Sequence, residues 1–146
     1  MKLIFLVIFL FSQSLVFGAG SSSSVDANAE YLKAEKLVKT YKFEKAIKAL
    51  NKLLSETPDG YTKADIYNYL GYASRKQRSP NFEKAESYYL KALKIDPNHI
   101  GALEYLGELY YETGRVEKAS ELLEKLKIVA GENSEEYIEL FEVINS

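Results

Sequence analysis

The chain repeats itself, and that repetition limits what it can fold into more than any other feature it carries. From Ile66 it runs through Tyr67, Leu70-Gly71 and Ala73 to Phe82-Glu83-Lys84-Ala85, Tyr89, Ala92 and Asp96-Pro97. From Ala102 it runs through Leu103, Leu106-Gly107 and Leu109-Tyr110 to Val116-Glu117-Lys118-Ala119, Leu123 and Leu126. Leu70 and Leu106 stand 36 residues apart, Ala85 and Ala119 stand 34 apart, so the later copy keeps a 34-residue period and the earlier one holds two extra residues in its turn. Phe43-Glu44-Lys45-Ala46 gives the same motif a third time, upstream. Within each copy apolar residues recur three and four apart, the spacing of a helix that buries one face, and two such stripes joined by a tight turn bury each other. Small residues fall where the two helices of a pair would come closest: Gly71 and Gly107 on the first helix, Ala85 and Ala119 on the second. One pair cannot bury its apolar face alone, so pairs must stack.

Read in order, the periodicity predicts helix pairs over residues 29–41 and 43–54, 62–76 and 82–95, and 100–112 and 116–127, followed by a single helix over 134–144. Asn81 and Ser134 suit N-caps, and Gly114 suits the left-handed position that ends a helix. The repeated Leu-Gly and Phe-Glu-Lys-Ala motifs resemble the tetratricopeptide repeat. The resemblance implies an all-α, right-handed superhelical solenoid of three helix-turn-helix repeats, at residues 27–61, 62–97 and 98–131, closed by a C-terminal capping helix at 132–146. The first repeat is degenerate, with Glu30 and Lys33-Ala34 where the family has a large apolar residue and its Leu-Gly pair. An end helix lacks one neighbour and tolerates polar residues there.

Ahead of the repeats, Met1-Lys2 is followed by an apolar run over residues 3–11 and small residues at Gly18, Ala19 and Gly20. This is the pattern of a secretory signal peptide over 1–18, cleaved near Gly18, with a flexible Ser-rich leader over 19–26. The alternative is an N-terminal membrane anchor, although the apolar stretch falls short of the ~20 residues a spanning helix needs. The whole chain is similar to the short secreted repeat proteins of Gram-negative bacteria, which implies a periplasmic location.

Composition removes several chemistries. Without Cys and with a single His, thiol catalysis and the common zinc sites are excluded. His99 lies in an inter-repeat turn with no partner for a triad and is expected to be solvated. Neither a catalytic set, a cofactor nor a metal is expected, so the chain reads as non-enzymatic. Its acids are expected to be wet helix faces, including the stripe Glu104, Glu108 and Glu112. Residues 19–57 and 58–97 each carry seven Lys/Arg against five Asp/Glu, while residues 98–146 carry four against eleven. A clustered basic face is missing, which argues against nucleic acid, and no membrane contact is expected once the signal peptide is removed.

What remains is a surface for another protein. In the family the first helices of successive repeats line a concave groove, and the matching positions here are Tyr31, Glu35, Asp65, Asn68, Tyr72, Arg75, Lys76, Glu104, Glu108, Tyr111 and Glu112. The same residues lie at i, i+3/4 and i+7 on the face opposite the Leu70 and Leu106 stripe, with Tyr69 and Tyr105 at its edge. Some family members grip the terminal carboxylates of chaperone tails with Lys, Arg and Asn. Only Asn68 matches that clamp, and Glu35, Glu104 and Glu108 stand where bases would be wanted. Tyrosines beside acids imply a partner segment carrying Lys/Arg and apolar residues, held by a scaffold or adaptor. The alternative is a head-to-tail homo-oligomer, joining the acidic end to the more basic remainder.

Overall fold

Five of the seven helices described start where a polar side chain takes up one of the first free backbone N–H groups. A computed structural model describes residues 26–146, so the expected signal peptide and nearly all of the leader lie outside the described residues. Helix α1 (Ala27–Lys39) begins at Asp26, whose carboxylate accepts from the Ala29 N–H at 3.1 Å, two residues earlier than the periodicity suggests. Helix α2 is Phe43–Leu53, and α3 (Lys63–Lys76) opens on a reciprocal box in which Thr62 and Asp65 each accept the other's backbone N–H. Helix α4 (Phe82–Ile95) is capped by Asn81 and α5 (Ile100–Glu112) by His99. Helix α6 (Val116–Val129) runs two residues past its expected end, and α7 (Glu135–Ile144) is capped by Ser134.

These helices pack as α1 with α2, α3 with α4 and α5 with α6, and each second helix also lies against the next first helix. The result is the all-α helix-pair solenoid that the repeats imply, with no strand among the described residues. One apolar cluster joins α1, α2 and α3 around Val38, Leu50, Leu53, Ile66 and Leu70. Others follow along α4, α5 and α6 and then along α5, α6 and α7, so the core is a chain of nearest-neighbour contacts. Among the described residues no helix is long and apolar enough to cross a membrane.

The two repeated glycine positions do different jobs. A Cβ on Gly71 would lie 2.5 Å from the Tyr89 ring, so Gly71 admits the second helix of its own pair. A Cβ on Gly107 would lie 2.5 Å from Leu140 Cδ2 instead. Gly107 therefore seats the lid helix α7 rather than α6, which corrects the expectation that both glycines face their own partner helix.

A third such position appears at the end of the first helix of each outer pair. Seven residues after Gly107 comes Gly114, with φ +76°, and seven residues after the equivalent Ala34 comes Tyr41, with φ +58°. A left-handed tyrosine costs about 1–2 kcal/mol against an ordinary backbone. The side chain so displayed is 76% exposed, with its ring 6.0 Å from Phe43 in an edge-on contact.

Candidate functional site

First helices α1, α3, α5 and α7 lie side by side along one wall, because α1 touches α3, α3 touches α5 and α5 touches α7. Side chains one repeat apart therefore become neighbours. The Tyr69 hydroxyl donates to Glu35 at 2.8 Å across 34 residues, and His99 Nε2 meets Asp65 at 3.1 Å across another 34. Arg75 Nη1 donates to Glu108 at 2.6 Å across 33 residues and its Nε to Glu112 at 2.8 Å across 37. Polar bonds between first helices thus follow the repeat period.

At the α1 end, Tyr31 is buried and stacked on Tyr61, with ring centroids 4.6 Å apart. Burial, and then the Asp65 charge, push its hydroxyl far above the usual phenol range. Glu35 is held below the usual carboxylate range chiefly by its hydrogen bond from Lys39, with the Tyr69 hydroxyl adding to it. Asp65 falls to about 2, first because of the His99 hydrogen bond and then the Thr62 contacts. His99 is not the solvated turn residue expected: its Nδ1 accepts from the Ala102 N–H at 3.1 Å while Nε2 reaches Asp65, and the ring is mostly covered. Asn68 is buried too, with its amide against the close backbone of Gly101, so it is not free to clamp a carboxylate.

In the middle, Tyr72 lies between Phe43 and Tyr105, at 6.1 Å and 4.8 Å. Tyr72 and Tyr105 join Val38, Lys39, Tyr41 and Tyr69 around an open cleft of about 270 Å³. Lys76 is exposed, its ammonium 6.0 Å from the Tyr72 ring. Arg75 is only 6% exposed and is closed by two carboxylates. Tyr111 does not reach the cleft and packs partly buried near Ala85 and Leu106.

At the α7 end the expected wet stripe divides. Glu112 is exposed, Glu108 is half-buried, and Glu104 is 3% exposed. Burial first, then Glu139 and Glu108, raise the Glu104 carboxyl to about 9. A close carboxylate pair with a raised proton affinity is therefore present, contrary to the reading of every acid as solvated. Of the eleven expected wall residues, the structure thus leaves Glu35, Asp65, Tyr72, Lys76, Glu108, Tyr111 and Glu112 at least partly open and buries Tyr31, Asn68, Arg75 and Glu104. Sequence reasoning missed Tyr41, Val38 and Lys39 as cleft residues. The signal for Tyr41 was its place in the repeat, where the third pair has Gly114.

A stack of helix pairs whose first helices form one polar and aromatic wall defines a helical repeat protein. Two models of the tetratricopeptide repeat match, one over residues 31–100 and the other over residues 79–140. The chain belongs to the tetratricopeptide repeat family. Two curated relatives are similar to it: uncharacterized protein ycf37 of Porphyra purpurea, 31% identical over 57% of this chain and 47% of that protein, and ycf37 of Pyropia yezoensis, 35% identical over 43% and 34%. The chain spans less than half the length of these relatives. Among solved structures it resembles the second tetratricopeptide domain of human RPAP3 in complex with the HSP70 peptide SGPTIEEVD, with TM-score 0.64, 19% identity, and 82% of this chain and 95% of that one covered. It also resembles the first such domain of Spaghetti (RPAP3) bound to the HSP90 peptide SRMEEVD, with TM-score 0.65, 21% identity, and coverage of 82% and 90%.

The two titrations predict opposite arms in a stability profile measured in chelated, metal-free buffer. Glu104 binds its proton more tightly when folded, with Glu108 on its own helix and Glu136 and Glu139 on α7 facing it, so its contribution is complete below its ordinary 4.5 and is lost as pH rises towards about 9. Asp65 is depressed, so its contribution is present above its ordinary 3.8 and is lost as pH falls towards about 2. Thermal melts should therefore peak near mildly acidic pH, and Glu104→Gln should flatten the alkaline arm while leaving the acid arm in place. An alkaline arm identical in the variant contradicts the assignment.

Proposed function

We propose that the chain is a non-enzymatic scaffold that holds an extended or helical segment of another protein against the cleft of Tyr41, Tyr69, Tyr72 and Tyr105. The solved tetratricopeptide neighbours hold chaperone peptides ending in acids, which supports peptide capture as the general role. The observation that decides the charge of the segment is Arg75: its guanidinium is buried and already spent on Glu108 and Glu112. Lys39 at the cleft is paired with Glu35, and Glu108 and Glu112 outweigh the one charge of Arg75, so apart from exposed Lys76 a carboxylate tail finds no uncommitted cation there, whereas a Lys/Arg side chain meets acids and tyrosine faces. Affinity for a small transient contact of this kind is about 1–100 μM. The signal-peptide pattern at residues 1–18 supports a partner met in the periplasm, and retention of the chain inside osmotically shocked cells would remove that part of the proposal.

A second reading is favoured by the two ends of the solenoid. A cleft of about 620 Å³ between α1 and α2 is lined by Ala27, Ala49 and Leu53 and edged by Lys45, Lys48 and Lys52 against Glu30 and Glu56. At the far end Ile128, Ile138 and Phe141 are exposed within the acid-rich segment. Head-to-tail association would join them, and light scattering should then show oligomers that dissociate as salt rises. A monomer at every salt concentration removes this reading.

Fluorescence anisotropy with two labelled peptides tests the groove proposal. The acidic nonapeptide SGPTIEEVD should bind at least tenfold more weakly than its analogue with Lys at both Glu positions and at the Asp. Tyr41→Gly should weaken capture of the Lys peptide while melting stays the same or rises, since the left-handed strain of about 1–2 kcal/mol is relieved. Preference for the acidic peptide overturns the charge assignment, and unchanged capture by Tyr41→Gly removes Tyr41 from the site.

A further inference from the structure

Beyond the groove, one cluster of side chains carries chemistry that packing alone does not explain. Glu104 and Glu108 are one turn apart on α5, and Glu139 comes from α7 beside Leu140, the residue seated on Gly107. One carboxylate oxygen from each of the three lies within 4.8 Å of the others. Glu104 is 3% exposed, and its Oε1 has no hydrogen-bond partner. Glu108 gives one oxygen to Arg75 at 2.6 Å, while Glu104 and Glu139 enter no ion pair among the described residues. A buried carboxylate without a counter-charge costs several kcal/mol when ionised, so the position asks for a cation or a proton.

We propose that Glu104, Glu108 and Glu139 form a binding site for one hard divalent cation of the Ca²⁺ type, which fastens the lid helix α7 to the groove wall. The donor set is all oxygen, which selects hard cations over those that favour nitrogen or sulfur. Two oxygens on opposite sides of a Ca²⁺ ion at ~2.3–2.6 Å stand up to about 5 Å apart, so each pair of these oxygens, none more than 4.8 Å apart, is within the span of a single ion. With all carboxylates ionised, Glu104, Glu108, Glu139 and Glu112 face the one Arg75 guanidinium, an excess of three negative charges that a divalent ion reduces to one. A cleft of about 410 Å³ lined by Glu108, Glu139, Glu142 and Val143 opens beside the cluster, giving a path in and room for the water ligands that Ca²⁺ takes in addition. The irregular ligand spacing suits Ca²⁺ better than Mg²⁺, which demands near-octahedral geometry.

The test uses the full chain, stripped of metal, with Tb³⁺ as a luminescent stand-in for Ca²⁺ excited through the tyrosines. Luminescence should saturate at one equivalent and be displaced by Ca²⁺, and saturating Ca²⁺ should raise the melting temperature at neutral pH. Glu104→Gln, which keeps the side-chain shape, should retain wild-type helicity by circular dichroism and weaken Tb³⁺ binding at least tenfold. Glu121→Gln, on the exposed side of α6, should leave it unchanged. Non-saturating luminescence, binding that survives Glu104→Gln, or melting that responds to acid and not to Ca²⁺ overturns the proposal, the last by showing that a proton shared between Glu104 and Glu139 fills the role.

Discussion

Arg75 is a guanidinium taken almost wholly out of water, and the middle of the concave wall is arranged to hold it. Its partners Glu108 and Glu112 stand on the next first helix, so the ion pairs lock α3 to α5 beside the contact of the Tyr72 and Tyr105 rings. Removing Arg75 would leave the mostly covered Glu108 carboxylate without its counter-charge, at about 3–5 kcal/mol. The same pairing fixes the chemistry of the groove. A free arginine there would invite carboxylates, and a neutralised one leaves tyrosine faces and acids to meet a visitor.

The wall as a whole is built from contacts one repeat apart. Tyr69 with Glu35, His99 with Asp65, and Arg75 with Glu108 and Glu112 each join neighbouring first helices, while apolar clusters join each pair to the next behind them. The tyrosines divide accordingly. Tyr31 and Tyr89 are swallowed between helices, where they act as packing, while Tyr41 and Tyr72 keep part of their rings at the cleft. Helix α7 repeats the logic once more, since Glu139 lies 35 residues after Glu104, but there the two facing groups are both carboxyls.

Fold was legible because small residues, caps and apolar spacing agreed with one another, as at Asn81, Gly114 and Ser134. The start of α1 was less so, because Asp26 sits in a polar stretch without periodicity to mark it. The site was legible as a set of positions and not as a set of environments. His99 looked solvated because a turn hides what lies one period away, and Glu104 looked wet because its helix face is polar until α7 covers it. Pairing each charged residue with the one 33 to 37 positions away would have found the Arg75 bridges and the His99 contact directly. Tyr41 needed a different comparison, since only alignment with Gly114 shows that a tyrosine occupies a left-handed turn.

The claim on which this account turns is that Arg75 is committed to the wall and unavailable to a ligand. A double-mutant cycle on Arg75→Met and Glu108→Gln, followed by urea unfolding, measures that commitment directly. A favourable coupling of about 1–3 kcal/mol is expected, with each single variant destabilised and the pair less so than the sum. Additive losses in this cycle and in the matching cycle with Glu112→Gln would mean that the guanidinium is free, and a groove with a free arginine would have to be read as a carboxylate clamp after all.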